Sequence, residues 1–336
     1  MNAGDVLKAV AGVVFACLLL ALAEGAARLL PERRDLLTEI TLFLRQDPEL
    51  LWRQEPNARR TFAGVPVRTD AMGFRGRGRA EKAAGVTRVA LLGASPAFGW
   101  GVREERTYVR LLEERLGARG TRVEIVNASV LGYSSYQGKL LLPRVLRELR
   151  PDVVVFAYGV NDVDKHRFFR SEAVTDRELR PANAAALALQ DLLRRSRLAR
   201  MFSSALRRRV PSGGGRRRVP PADFKANLEQ FGTTASEAGA RLLLATSPFS
   251  PPPDPAKSPE LAECAALAAA YNSAIRTFAA DTGTPLADIE KAFAGGGTSP
   301  QRGLMLDPGK DLVHFSEKGH DMAADVLAGV MGKMIE

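Results

Sequence analysis

Val89-Ala-Leu-Leu-Gly-Ala-Ser95-Pro-Ala-Phe-Gly99 reads as a buried strand that breaks into a tight turn at a serine. Val89 to Leu92 run without polar alternation, as expected of a strand covered on both faces. Comparable runs follow at Val123–Asn127, Val153–Tyr158, Arg241–Thr246 and Thr284–Ile289. Between and after them, helical patterns run over Tyr108–Leu116, Tyr136–Leu149, Phe224–Ala238, Glu260–Asp281 and Glu317–Met334. Strands alternating with helices and joined by right-handed crossovers predict a three-layer α/β/α sandwich with a mainly parallel five-stranded sheet.

Open parallel sheets hold ligands at the C-terminal ends of their strands, and chemistry-bearing residues collect there. Ser95 follows the first strand. Asn127-Ala-Ser-Val-Leu-Gly132 follows the second, and Tyr158-Gly-Val-Asn161-Asp162 the third. Just before the last helix stands Asp311-Leu-Val-His314. An acid three residues ahead of a histidine can share its turn, which suits an imidazole oriented by a carboxylate and serving as base to a serine. Candidate oxyanion donors are the Ser95 amide, the Gly132 amide and the Asn161 side chain. Asp307 is an alternative partner for His314. Asp162 reads as a loop brace, His320 as structural, and His166 is a histidine in a long insertion.

This set resembles the SGNH (GDSL-type) hydrolases, whose four blocks supply a serine, a glycine, an asparagine and a histidine. Ser95, Gly132, Asn161 and His314 match them in order, with Asp311 beside the last, over roughly residues 85 to 335. The resemblance implies a flavodoxin-like SGNH fold and a cofactor-free, metal-free serine esterase or acyl-transfer enzyme. Its catalytic residues would be Ser95, Asp311 and His314, and its oxyanion hole Ser95, Gly132 and Asn161. Val67-Arg-Thr-Asp-Ala-Met-Gly-Phe-Arg75 also resembles the lead-in to this domain in membrane-anchored bacterial members, which points to short acyl groups on envelope or extracellular carbohydrate. One departure stands out. The family's first block is usually Gly-Asp-Ser, and here it is Gly93-Ala94-Ser95. The missing acid supports a rival reading, a catalytically silent, anchored glycan-binding or assembly protein.

Two other readings of the serine turn fail. An α/β-hydrolase elbow takes an oxyanion donor from the amide after the nucleophile, and Pro96 has none. A dinucleotide fingerprint needs Gly-x-Gly-x-x-Gly and an acid ending the second strand; the glycine spacing is wrong and that strand ends at Asn127.

The chain has 336 residues, 46% of them hydrophobic, and a net charge of +10. Ten arginines and no acid lie between Asp191 and Asp223, so the rest of the protein is about neutral. That segment is expected to be either a solvated loop or a cationic surface for anionic lipid or acidic polysaccharide. Nucleic acid is not expected, since Phe202 is the only aromatic there for base stacking. Leu192, Leu193, Leu198, Met201, Phe202 and Leu206 add apolar contacts that an interfacial helix would use. Two cysteines and three histidines at unrelated spacings offer no metal cluster.

Ala9–Ala23 is an unbroken apolar run, continued past Glu24 by Ala26, Ala27, Leu29 and Leu30. It predicts a retained membrane anchor, with a signal peptide cleaved near Ala21-Leu-Ala23 as the alternative. The expected organisation is an anchor over 1–30, a stalk and lead-in over 31–85 with a helix at Asp35–Arg45 and an extended piece at Phe62–Val67, and a hydrolase domain over 86–336 with a basic insertion near 165–220. By analogy with anchored members the domain faces the periplasm or exterior. The flanking charges, Lys8 before and Arg28, Arg33 and Arg34 after, argue the opposite way.

Overall fold

The computed structural model describes residues 2–31, 36–78, 81–165, 174–180, 183–207, 215–297, 300–301 and 303–335. In chain order, helix α1 (Ala3–Leu29) leads into α2 (Leu36–Phe43), the hairpin strands β1 (Leu44–Asp47) and β2 (Leu51–Gln54), and a second hairpin of β3 (Arg59–Phe62) and β4 (Val65–Arg68). The alternating part follows: β5 (Thr87–Gly93), α3 (Ser95–Phe98), α4 (Tyr108–Ala118), β6 (Val123–Asn127), α5 (Ser135–Leu149) and β7 (Val153–Ala157). The insertion contributes α6 (Ala184–Arg195) and α7 (Arg197–Arg207). Then come α8 (Pro221–Glu237), β8 (Arg241–Ala245), α9 (Pro259–Thr282), β9 (Leu286–Ala287), α10 (Ile289–Ala294) and α11 (Glu317–Ile335).

Five strands form one parallel sheet in the order β6-β5-β7-β8-β9. Their side chains alternate between two cores. Val89 and Leu91 of β5, with Val153 and Val155 of β7, pack under α4, α10 and α11. Ala90 and Leu92, with Val154 and Phe156, pack under α5, α8 and α9. A period of two in residues apolar on both faces is what a sheet covered on both sides requires. Phe156 meets Phe224 and Phe231 edge-on at centroid distances of 6.2 and 5.2 Å. Truncating such a ring to alanine typically costs about 3–5 kcal/mol. From β5 the chain steps to β6 on one side, then crosses to β7 on the other. That reversal leaves a crevice at the C-terminal ends of β5 and β7, where Ser95 and Asn161 lie.

Several expectations are corrected. The helix expected over Asp35–Arg45 is α2, and Leu44 and Arg45 already belong to a strand. The extended piece at Phe62–Val67 is not one continuous strand: it ends β3, turns at Ala63-Gly64 and continues as β4 of an antiparallel hairpin. These segments do not stand off as a stalk. Phe43, Trp52, Phe62 and Phe74 are buried in the same core as α5 and α8. The Trp52 indole N–H donates to the Leu131 carbonyl (2.9 Å), and the Tyr133 hydroxyl donates back to the Trp52 carbonyl (2.5 Å). The fifth strand shrinks from Thr284–Ile289 to two residues because Asp288 turns to cap α10, its carboxylate accepting from the Lys291 amide.

Candidate active site

Ser95 is delivered by β5 and occupies the first turn of α3, with Ala94 in extended conformation before it. Gly93 is required here. A Cβ on it would stand 2.7 Å from the Ala97 Cβ and 2.9 Å from the Ala157 carbonyl, so only glycine lets the turn close over β7. The Ser95 hydroxyl lies 2.8 Å from His314 Nε2, and His314 Nδ1 lies 2.7 Å from Asp311 Oδ2. Asp311 also accepts the amides of Val313 (3.2 Å) and His314 (2.9 Å), which fixes the carboxylate on the turn it shares with the imidazole. Burial works to raise its pKa. The His314 ring and these amides outweigh that and hold the carboxyl below its ordinary value. A carboxylate on Nδ1 selects the tautomer that leaves Nε2 free to accept the serine proton.

Asp307 is not the partner of this histidine. Its carboxylate faces Lys310 at 3.7 Å, and its carbonyl accepts the Asp311 amide. His320 is fully buried, its Nδ1 accepting the Tyr108 amide at 3.1 Å. His166 lies outside the described residues.

The loops that follow the other two strand ends, β6 and β7, are tied together by a hydrogen bond. Gly132 has φ of +73°, a conformation that favours glycine. Its carbonyl accepts from Arg218 (2.8 Å), which is itself buried against Asp176. Asn161 donates one amide hydrogen to the Tyr133 carbonyl at 3.0 Å, so its side chain is pinned beside Gly132. A carboxamide carries a second N–H. Asp162 is fully buried and accepts the Ser135 amide at the start of α5. Burial pushes its pKa up to about 6, opposed by Ser135 and Arg218.

Against this geometry, the sequence profile of the GDSL-like lipase/acylhydrolase family matches residues 91–322. The chain belongs to that family.

Esterase TesA of Pseudomonas aeruginosa is 36% identical over 72 residues, 21% of this chain and 36% of that protein. An arylesterase of Vibrio mimicus is 31% identical over 75 residues, 22% and 38% of the two chains. The chain thus spans little more than a third of the curated relatives it matches. Among solved structures, that of TesA aligns with a TM-score of 0.47 at 20% identity, over 74% of this chain and 99% of that one. LAE5, described as an alpha/beta hydrolase enzyme from the metagenome of Lake Arreo, aligns at 0.49 and 17%, over 73% and 95%.

Within this GDSL-like chain, three residues outside the sequence reading support the nucleophile turn. Arg75, 5% exposed, donates to the carbonyls of Phe98 (2.8 Å), Gly99 (2.5 Å) and Val102 (2.6 Å), and its guanidinium lies over the Phe98 ring. Burial lowers its pKa to about 10, against the pull of Glu104 and Glu105, so it stays charged at neutral pH. Asn127 donates to the Ala97 carbonyl at 3.0 Å. Ala94, where the family's usual acid would stand, makes no side-chain cap; the turn is held from its C-terminal end instead. Trp100 stacks flat on His314, centroids 4.7 Å apart and planes 10° apart, and meets Phe62 of β3 edge-on at 5.1 Å. The available signals were faint: an arginine ending the quoted lead-in, and a tryptophan between Gly99 and Gly101.

The arginine-rich segment departs from a free cationic patch. Arg194 pairs with Glu55 (2.8 Å), Arg216 with Glu178 (3.0 Å), Arg217 with Glu263 (2.5 Å) and Arg218 with Asp176 (2.9 Å). Arg197 is buried against the Leu30 carbonyl. The compensating acids come from other parts of the chain. Arg208 and Arg209 lie outside the described residues.

Proposed function

We propose that this chain is a serine esterase in which Ser95 attacks an ester carbonyl while His314 takes and returns the proton and Asp311 orients the imidazole. The Ser95 amide, the Gly132 amide and the Asn161 side chain stabilise the oxyanion; one such donor contributes about 3–4 kcal/mol to the transition state. The observation that carries the reading is the unbroken chain Ser95–His314–Asp311, with links of 2.8 and 2.7 Å. The full-length protein in detergent is expected to hydrolyse p-nitrophenyl acetate. Ser95→Ala should lose about 10⁴-fold or more in kcat/KM. Equal rates, or no fluorophosphonate adduct on Ser95 of folded protein, would sink the assignment and favour the silent-protein reading that Ala94 suggests.

The substrates we infer are short O-acyl groups, acetyl foremost, on envelope or extracellular carbohydrate. Support comes from the resemblance of Val67–Arg75 to the lead-in of anchored bacterial members. A glycan acceptor that diverts acyl product from free acid would mark the reaction as transfer. Residues 1–30 are read as a retained anchor, 31–85 as the lead-in and 86–336 as the hydrolase domain with its insertion. Gly4–Leu29 is long and apolar enough to cross a bilayer. Retention is supported by the way Glu24 is engaged: its carboxylate accepts Ser196 Oγ and the amides of Arg197 and Leu198 at 2.8–3.0 Å. An outward-facing domain is the proposed topology, tested by access of an impermeant thiol reagent to a surface cysteine in intact cells.

A further inference from the structure

Helix α6 is amphipathic in the reverse sense. Ala185, Ala188, Leu189, Leu192 and Leu193 fall at i, i+3, i+4, i+7 and i+8, one stripe of a helix, and all are exposed. Leu189 is 55%, Leu192 66% and Leu193 46% exposed. The opposite side, facing the protein, is mixed: Ala186 and Leu187 are half-buried there beside Gln190, Asp191 and Arg194. Asp191 pairs with Arg45 at 2.5 Å, and Arg194 with Glu55 at 2.8 Å and the Leu42 carbonyl at 3.3 Å. A helix packed on a water-soluble body would show the reverse, with leucines in and charges out. The helix is therefore held by its ion pairs and the edge made by Ala186 and Leu187, while three of its four leucines look away from the domain.

What lies on that side is indicated by α1. The Glu24 carboxylate caps the start of α7, Arg197 donates to the Leu30 carbonyl, and Ala27 is buried there. Helix α7, which follows α6 after Ser196, thus clasps the end of the apolar span, whose own side chains above that point are exposed. Phe202 of α7 is 63% exposed, and Arg28 and Arg195 stand exposed near the same end. Apolar stripe, nearby cations and a position at the mouth of a span are the features of an interfacial helix.

We propose that α6 lies in the bilayer interface, its Ala185–Leu193 stripe against lipid acyl chains, so that the domain is held in a fixed posture on the membrane entered by α1. The inference rests on the anchor reading. Its partner is a phospholipid surface, recognised chiefly through the leucine stripe and not through the arginines, of which most of those described are engaged within the protein.

The test uses full-length protein in phosphatidylcholine–phosphatidylglycerol vesicles with brominated acyl chains, reading tryptophan quenching as the increment over Trp52 and Trp100. Leu192→Trp probes α6, Leu19→Trp the anchor, and Asp325→Trp on α11, in the opposite helical layer, serves as the aqueous control. All three are surface changes, to be matched to the parent by melting temperature. Leu192→Trp should be quenched about three-fold more than Asp325→Trp, most strongly by bromines near the carbonyl end of the chains, and Leu19→Trp by deeper ones. Quenching of Leu19→Trp alone, with Leu192→Trp as open to aqueous iodide as the control, overturns the proposal and leaves the anchor standing. If neither is quenched, both readings fall. Leu192→Trp shielded from bromine and iodide alike means that protein covers the stripe, which also overturns it.

Discussion

Two arms reach the hydrolase body from outside its alternating strands and helices, and they are attached in opposite ways. The lead-in, residues 36 to 75, buries its aromatics: Phe43, Trp52, Phe62 and Phe74 share the core beneath α5 and α8. Its last residue, Arg75, ends on three carbonyls of the nucleophile turn. The insertion helix α6 buries no residue and is tied by partly exposed ion pairs such as Arg45–Asp191. Burial of apolar area resists motion over the whole contact, whereas exposed ion pairs contribute about 0–1 kcal/mol each. The lead-in is thus built into the turn that carries Ser95. Helix α6 makes no bond to Ser95 or His314 among the described residues; the insertion meets the site only at its far end, where Arg218 donates to the Gly132 carbonyl.

The sharpest way to break that contrast is Arg75→Met. It keeps much of the stem over Phe98 but leaves three carbonyls without their donor. At about 1.5–3 kcal/mol for each charge-assisted bond, and with some repair by water, the expected loss of stability is about 4–5 kcal/mol. Because a turn displaced by about 1 Å can cost 10²-fold in rate, kcat of the folded variant should fall by about that factor with KM little changed. A variant that loses stability and keeps kcat would show that the arm supports the fold and not the turn.

A second effect comes from His320, buried among Tyr108, Phe315 and the lead-in's cation. Burial first, then the positive charges of Arg75 and His314, lower its pKa to about 3. The folded state thus binds the proton less readily than the unfolded chain, whose histidine titrates near 6.5. Its contribution is fully present above about pH 6.5 and is lost as pH falls toward 3, roughly 2 kcal/mol by pH 5. His320→Gln retains an acceptor for the Tyr108 amide and should flatten the fall of melting temperature between pH 6.5 and 5. An unchanged slope would mean that other groups govern acid stability.

These two effects also mark where reading the chain stops. The strands ending at Gly93, Asn127, Ala157 and Ala245 announce themselves through local apolar runs, and the fold places their terminal residues at one sheet edge. Asp311 and His314 share one turn, so their relation is visible in four residues of sequence. Arg75 reaches carbonyls 23 to 27 positions away, and Trp52 is tied to Leu131 across 79. No periodicity encodes such partners, and β3 with its arginines looks unlike a buried strand. The insertion misleads for the same reason. Its arginines suggest a free basic surface because Glu55, Glu178 and Glu263 lie far from them along the chain.

A smaller effect is expected at Trp100, the lead-in's other route to the site. Its indole lies flat on His314 and is backed by Phe62. In the proposed mechanism an imidazolium forms as Ser95 gives up its proton; a ring face attracts such a cation, and the contact contributes about 0.5–2 kcal/mol. Trp100→Leu should therefore lower kcat several-fold, with Trp100→Phe recovering most of it. A fall in both variants equally, or in KM alone, would assign the ring to substrate contact and not to the histidine.

The smallest effect should come from the insertion, and it tests the other side of the contrast. Asp191→Asn removes the charge that meets Arg45 at 2.5 Å, in a pair whose side chains are 21% and 39% exposed. At that exposure the expected loss is about 0.5 kcal/mol, shrinking further in high salt. Arg194 still holds α6 through Glu55 and the Leu42 carbonyl, so the helix should stay seated. Neither kcat nor KM toward a small soluble ester should move, because no bond from α6 reaches Ser95, His314, Gly132 or Asn161 among the described residues. Steady-state kinetics in detergent, run beside Arg75→Met, would decide it. A rate loss in Asp191→Asn comparable to that in Arg75→Met would mean that the insertion is coupled to the turn and that the two arms are not independent.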